Sequence, residues 1–568
     1  MMQYKKYYKS LKDFLNSSFQ SYSVICIDLK SSQIGNESTS DLGPALAKCI
    51  NLSNFTLILS SNQISNEGLQ GLGSGLGNCT NLSNFTLDLS CNQIGVEGIS
   101  GLSFALAKCC NLTNLILDLS FNQIGVDGIL CLGSALSKCT NLSNFTLHLP
   151  SNQIGVEGAS GLGSALSKCI NLSYLILDLS SNKIGAKGAS GLGSGLSKCT
   201  NLTNLSLDLS YNQICNEGAT GLGSTLSKCT NLIKLAINLS SNQIGVDGAS
   251  GLSSALANYT NLSNFTLHLM SNQISDEGAQ NFGSALTNCI NLSNLTLHLL
   301  SNKIGAEGVS GLGSAIAKCT NIQNLTLDLS SNLIGVKGTQ GLSSALGKCT
   351  NLQNLILDLS YNKISVDGAQ SLSSLARCTN LSNLTLHLSE NLIGDEGVLG
   401  LCITLSKCSK LSNLILYLQY NQIGDKGTSR LGHALAKCTN LTKFILDLSS
   451  NQIGVDGTLG LRSGLGKCTN LSNLKLDLSE NQIGDSGISN LGFALEKCIN
   501  LSNLKLDLSS NLIGDEGVSS LCSALAMYTN LTNLNLQLLS NKIDRQGELK
   551  INNQCLKSKR LVIFKYFQ

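Results

Sequence analysis

A thirty-residue stretch, NLSNFTLDLSCNQIGVEGISGLSFALAKCC from Asn81 to Cys110, recurs with small changes through nearly the whole chain. Displacing the sequence by 30 residues superimposes an asparagine from Asn62 through Asn92 to Asn362. After one unit shortened to 29, the series resumes at Asn391 and runs to Asn541, giving seventeen clear copies. A fixed period overrides the ordinary expectation that 568 residues form several domains, because each unit stacks only on its neighbours. One unit buries roughly eight or nine side chains at about 1.5–3 kcal/mol each, against an ordering cost of about 1.5 kcal/mol per residue. It cannot stand alone, and stacking on both sides supplies the missing burial.

Within a unit, Phe85, Leu87 and Leu89 alternate at period two, which predicts a strand with these three inward and Asn84, Thr86, Asp88 and Ser90 on the open face. Asn92 turns the chain, and its amide can serve backbone groups that neighbouring turns leave unpaired, stacking into an asparagine ladder. From about Glu97 to Lys108 the apolar positions change to helical spacing, with acid at the start and lysine at the end to suit the helix dipole. Glycines such as Gly191, Gly193 and Gly195 each cost about 1 kcal/mol relative to alanine in a helix, which predicts short, partly irregular helices. Strands about 4.8 Å apart then build a curved parallel sheet with helices on its outer side.

The ends differ from the middle. Tyr4, Tyr7, Tyr8, Leu11, Phe14 and Leu15 fall at helical spacing among lysines, which predicts an amphipathic cap over residues 1–24; the same basic face also suits a membrane-surface helix. A degenerate first unit follows, with Ile25, Ile27 and Leu29 as its strand, Ser32 at the ladder position and Pro44 in its second half. The repeat array spans 25–546. Residues 547–568 keep Leu561, Phe564 and Tyr566 at apolar positions without the asparagine and read as a C-terminal cap. Charges of +3 over 1–24 and +5 over 542–568, against +3 for the whole chain, leave the body near −5.

Of 23 cysteines, fifteen occupy one repeat position, from Cys49 through Cys109 to Cys498, and Tyr259 and Tyr528 replace it there. A regular ladder that admits tyrosine is core packing rather than a disulfide network. The start lacks the apolar run of a signal peptide, and no stretch reaches the roughly 18 apolar residues of a membrane span. These features predict a reduced, cytoplasmic protein with no membrane span. Recurring Asn-x-Ser/Thr triplets such as Asn84-Phe85-Thr86 fall on packed strands and call for no glycosylation.

The pattern LxxLxLxLxxNxI followed by GxxGxxxLxxxLxxC resembles the ribonuclease-inhibitor-like subfamily of leucine-rich repeats, over roughly residues 25–545. That subfamily includes Ran GTPase-activating proteins and the arrays of NLR immune receptors; near-identical 30-residue units also resemble repeat-rich ciliate proteins. The resemblance implies an α/β solenoid of about 18 repeats, a horseshoe with a concave parallel sheet and convex helices, binding protein on its strands or rim. The unit here departs by two extra strand residues, which keep parity.

Fold does not supply function, so candidate sites come from open-face positions that vary between copies. The position of Asp88 holds aspartate in ten units, Asp118, Asp447, Asp477 and Asp507 among them, and His148, His268, His298 and His387 occupy it elsewhere. An acidic stripe interrupted by imidazoles suits either solvation with flanking hydroxyl bonds or a partner protein with a basic surface. A metal role for His268, His298 and Asp328 lacks a fourth ligand. Two places break the pattern further: Met270 and Leu300 replace serine beside His268 and His298, and His387, Glu390, Tyr417, Gln419 and Tyr420 replace small residues around the shortened unit. Exposed aromatics and methionine are enriched at interface cores.

The reading that follows is a non-enzymatic interaction scaffold with a protein partner, no cofactor and no metal. A regulator of a small GTPase, like the Ran-directed members of the subfamily, is the alternative; it is disfavoured by a basic rather than acidic C-terminus. No GxSxG, HExxH or Walker motif appears, and the Gly71-Leu72-Gly73-Ser74-Gly75 run repeats inside helices rather than in a phosphate-binding turn. Lys557, Lys559 and Arg560 read as a solvated cap rather than a nucleic-acid site.

Overall fold

The computed structural model describes residues 5–17, 22–527, 530–544, 547 and 563–567, the last five as backbone. Tyr4, Tyr528, Leu561, Lys557, Lys559 and Arg560 of the sequence reading lie outside the described residues. The chain divides into two compact units, residues 1–274 with 288–292 and residues 275–287 with 293–568. Among the described residues the first carries strands from Lys5–Tyr8 to Asn264–His268, and the second from Asn294–His298 to Ile563–Phe567. Inside each unit successive strands pair in parallel without offset, as Asn84 opposite Asn54 and Asn114 in the first and Asn354 opposite Asn324 in the second. A helix such as Val96–Leu106 or Gly185–Leu196 returns the chain between strands, as parallel pairing requires. The result is the expected α/β solenoid.

Phe85, Leu87, Leu89, Ile94, Leu102, Leu106 and Cys109 are all buried between sheet and helices. Most ladder asparagines are buried too, Asn212 among them, and its amide is fully occupied. Asn212 donates from Nδ2 to the carbonyls of Leu209 (3.1 Å) and of Leu179 one repeat earlier (2.9 Å), and its Oδ1 accepts from the N–H groups of Asn182 and Ile184. One side chain thus closes its own turn and ties it to the preceding one.

The cysteine column is more than packing. Cys229 Sγ donates to the Leu196 carbonyl at the C-terminus of the preceding helix, 3.5 Å away, and Cys199 does the same to Leu166. Helix ends leave carbonyls short of partners. Tyr259 takes the cysteine position, and its hydroxyl donates to the equivalent Leu226 carbonyl at 2.7 Å. A shared donor role explains the exchange. Every described cysteine is free. Burial pushes the ladder thiols up, Cys49, Cys169 and Cys229 to about 11 and Cys79, Cys139 and Cys199 to about 12.

The helices are regular, contrary to the expectation from their glycines. Most run 11 or 12 residues without interruption, and the glycines are where neighbouring helices touch: a Cβ on Gly195 would lie 1.8 Å from the Gly163 carbonyl oxygen, and one on Gly75 1.9 Å from that of Gly43. Close helix spacing outweighs the propensity cost. Lys108 lies beyond the last turn of its helix, so the expected basic end is missing. Several helix N-termini are capped from the preceding repeat, as when Asp395 Oδ1 accepts from Gly424 and Gly427 N–H at 2.7 and 2.8 Å. The 29-residue unit replaces half its helix by a 3-10 segment, Leu372–Arg377 after Val366–Ser371. A rise of about 2.0 Å per residue instead of 1.5 Å covers the length of the missing residue.

The N-terminal segment is a strand followed by a short helix, not one amphipathic helix. Lys5–Tyr8 pairs in parallel with Val24–Asp28, and among the described residues of this segment only Leu11–Leu15 is helical. Pairing satisfies the otherwise open edge of the first repeat. Tyr8 and Phe14 are buried with rings edge to face at 5.3 Å, and the Tyr7 hydroxyl donates to Asp28 at 3.1 Å. At the other end, Ile563–Phe567 pairs with Asn533–Gln537, placing Phe564 opposite Leu534 and Tyr566 opposite Leu536, in the register of the repeat.

Two outcomes follow. Gly195→Ala gains about 1 kcal/mol of helix propensity but overpacks a contact at a typical cost of about 1–3 kcal/mol; its melting temperature by circular dichroism should fall, and an unchanged or higher value would mean that the helices can separate freely. The thiols, raised above their ordinary value of 9, stabilise the fold fully below pH 9, and that stability is lost as pH rises toward 11–12. Each contributes a slope of up to ~1.4 kcal/mol per pH unit over that window. Replacing Cys169, Cys199 and Cys229 by alanine should flatten the fall of melting temperature between pH 9 and 11, whereas Cys91→Ser/Cys110→Ser, at exposed positions, should leave it as it was.

Candidate functional site

Side chains on the open face stand in columns, because strands stack without offset. The aspartate column closes turns: Asp88 Oδ1 accepts from both Ser90 N–H (3.0 Å) and Ser90 Oγ (2.7 Å), and Asp118, Asp447 and Asp507 bond the serine two residues on in the same way. Where three aspartates stand together, burial and then repulsion from Asp447 and Asp507 raise Asp477 despite its bonds to Ser479. Lys475 and Lys505 occupy the same strands as Asp477 and Asp507, so this stretch is mixed in charge rather than purely acidic.

The histidines relieve the column elsewhere. His148 and His298 bring Nδ1 within 4.0 Å of an aspartate on the next strand, Asp178 and Asp328, and His387 does so to Asp358 on the strand before, the closest pair being His298 and Asp328 at 3.5 Å. Burial opposes ionisation of Asp328, but bonds from His298 and Ser330 outweigh it and lower its pKa. His268 lies on the last strand of the first unit and His298 on the first strand of the second, with Met270 and Leu300 half-buried just beyond them. Among the described residues no three of His, Cys, Asp and Glu are placed to hold a metal ion, the row of His268, His298 and Asp328 included.

In the second unit five of the sequence candidates meet. Leu300, His387, Glu390, Gln419 and Tyr420 line one recess of about 280 Å³. Its floor is the serine column, Ser330, Ser360 and Ser389, and Leu300 and Gln419 stand at its two ends. Asp358 and His387 form one wall, and Tyr361, Glu390 and Tyr420 the other. Tyr417 is not on the lining; its ring stacks on His387 with centroids 4.6 Å apart and holds that imidazole in place. Tyr361, Glu390 and Tyr420 all have left-handed backbone, φ 55–57°, because they precede the ladder asparagine. A bulky residue there costs about 1–2 kcal/mol, yet both tyrosines are at least half exposed, at 57% and 50%.

Sequence reading missed Tyr361 and a second recess. In the first unit Tyr174, Ile176 and Lys234 surround a depression of about 320 Å³ over the small Ser206 and Ala236. The signal was present, since these residues replace the usual Asn and Thr of their columns. Also unforeseen is a ladder of amides on the open face itself: Asn324, Asn354, Asn383 and Asn413 each donate to the asparagine of the preceding strand, back to Asn294. Lys443 ends it.

The leucine-rich repeat family profile matches residues 53–73, 82–103, 108–133, 174–193, 198–223, 229–253, 263–283, 349–373, 380–402, 437–461, 470–492 and 500–522. Comparison with curated proteins gives no match. Among solved structures the chain is similar to an internalin from Listeria monocytogenes, at 23% identity over 66% of this chain and 88% of that one with a TM-score of 0.40. It is also similar to a leucine-rich repeat protein from Leptospira interrogans, at 17% identity over 98% and 99% with a TM-score of 0.48. No helix among the described residues is long and apolar enough to cross a membrane. The twelve matched segments, each in phase with the strand and helix of a stacked unit, make this chain a leucine-rich repeat protein.

Proposed function

We propose that the protein is a non-enzymatic interaction module, with the serine-floored trough of the second unit as its main contact for a partner protein. One observation carries this reading: residues from repeats up to 120 positions apart, Leu300 to Tyr420, converge on a single recess with two half-exposed tyrosines on its rim. Tyrosines in desolvated pockets supply a large share of interface energy. Asp358 and Glu390 in the walls suit a partner with a basic surface. Strands Lys5–Tyr8 and Ile563–Phe567 add to the array at its two ends, and free buried thiols suit the reducing cytoplasm.

Affinity capture with quantitative mass spectrometry tests this on wild type, Tyr361→Ala/Tyr420→Ala and Tyr417→Ala/Tyr420→Ala. Loss of hot-spot aromatics weakens binding by about 2 kcal/mol or more, so the same proteins should be depleted in both variants. Tyr211→Ala, an equally exposed tyrosine of the first unit, should retain them. Identical sets of captured proteins from all four would refute the trough as the contact.

A further inference from the structure

We infer that the trough is a receptor for an arginine side chain presented by the partner polypeptide; this deepens, and rests on, the reading of the trough as a contact site. Three features of the recess define its ligand. Its charge is negative: Asp358 and Glu390 lie in opposite walls and no lysine or arginine lines it. The Glu390 carboxylate has no hydrogen-bond or ion-pair partner among the described residues, and one oxygen of Asp358 already accepts from Ser360 N–H at 2.9 Å while the other faces His387 at 3.9 Å. Its end is closed by the side chain of Gln419, whose Oε1 is buried and so is not presented to the recess. Its rim is aromatic, with Tyr361 and Tyr420 one repeat to either side of Glu390.

Carboxylates in two walls, with two tyrosines beside one of them, call for a cation that is planar and carries several N–H donors in fixed directions. Guanidinium has that form, five donors on a plane that stacks on aromatic faces. An ammonium group is a compact point charge and could serve one carboxylate at a time. The floor of serine hydroxyls leaves room along the trough, whose ends Leu300 and Gln419 block, so the side chain enters from the open face with its backbone lying across the strands.

The test uses the full chain and saturation-transfer NMR with N-acetyl-arginine methylamide, its lysine and glutamine counterparts, and free arginine. Wild type should bind the blocked arginine about tenfold more tightly than blocked lysine, and Glu390→Gln should lose about tenfold, the effect of roughly one charge-assisted bond. Glu480→Gln, at the same repeat position three strands on, should change nothing, and both variants should keep the circular dichroism of wild type. Equal binding of the arginine and glutamine compounds, or equal losses in Glu390→Gln and Glu480→Gln, overturns the assignment. Tighter binding of free than of blocked arginine overturns it in favour of the amino acid itself. If the tyrosine variants lose their partners while blocked arginine shows no preference, the contact site stands and the arginine assignment falls. Selective arginine binding with all partners retained has the opposite meaning.

Discussion

The buried carboxamide of the ladder asparagine is the interaction on which this structure depends. In Asn212 every donor and acceptor is engaged by backbone of its own turn and of the turn before. The geometry allows no offset between repeats, since a shift of one residue would strand several buried carbonyls and N–H groups together. It also fixes the residue before it in left-handed backbone, from Ser61 to Ser540. Zero offset then propagates to the strands, which pair with their equivalents, to the helices, which pack on theirs, and to the cysteines, which bond a helix-end carbonyl one repeat back.

Much of this was legible because it is periodic. Inward Phe85, Leu87 and Leu89, the asparagine ladder and the free cysteines follow from spacing and residue type alone. What escaped was what depends on the neighbouring repeat. Gly195 looked like a helix weakener, because propensity is a property of one helix and its close approach to Gly163 is a property of two. Cys229 looked like a small hydrophobe, because the carbonyl it meets belongs to the helix before it. Lys5–Tyr8 looked helical because Tyr4, Tyr8, Leu11 and Leu15 keep the spacing, whereas the open edge of Val24–Asp28 decided for a strand.

The candidate site was half legible for the same reason. His387, Glu390, Gln419 and Tyr420 stand out as departures from their columns, and so does Leu300, but reading down the sequence separates Leu300 from the others by three repeats. Reading across the stack joins them. Tyr361 went unnoticed because its neighbours in the sequence, Ser360 and Asn362, are the standard ones. Tyr417 was noticed for its ring, yet the ring faces His387 rather than the recess.

Exact repetition makes the open face almost featureless, and for that reason a few large residues are enough to partition it. In the second unit the serine column runs Leu300, Ser330, Ser360, Ser389, Gln419, Ser449, Ser479, Ser509, Leu539. Two compartments of three serines are thus set between larger side chains. Only the first has tyrosines on its rim; the second is lined instead by the row Asp447, Asp477 and Asp507 with Lys475 and Lys505 beside it. There each carboxylate accepts from the serine two residues on, and on two of the three strands a lysine stands two residues before it. In the first, the Glu390 carboxylate has no hydrogen-bond or ion-pair partner among the described residues. Identical scaffolding around both means that this difference arises from side chains alone.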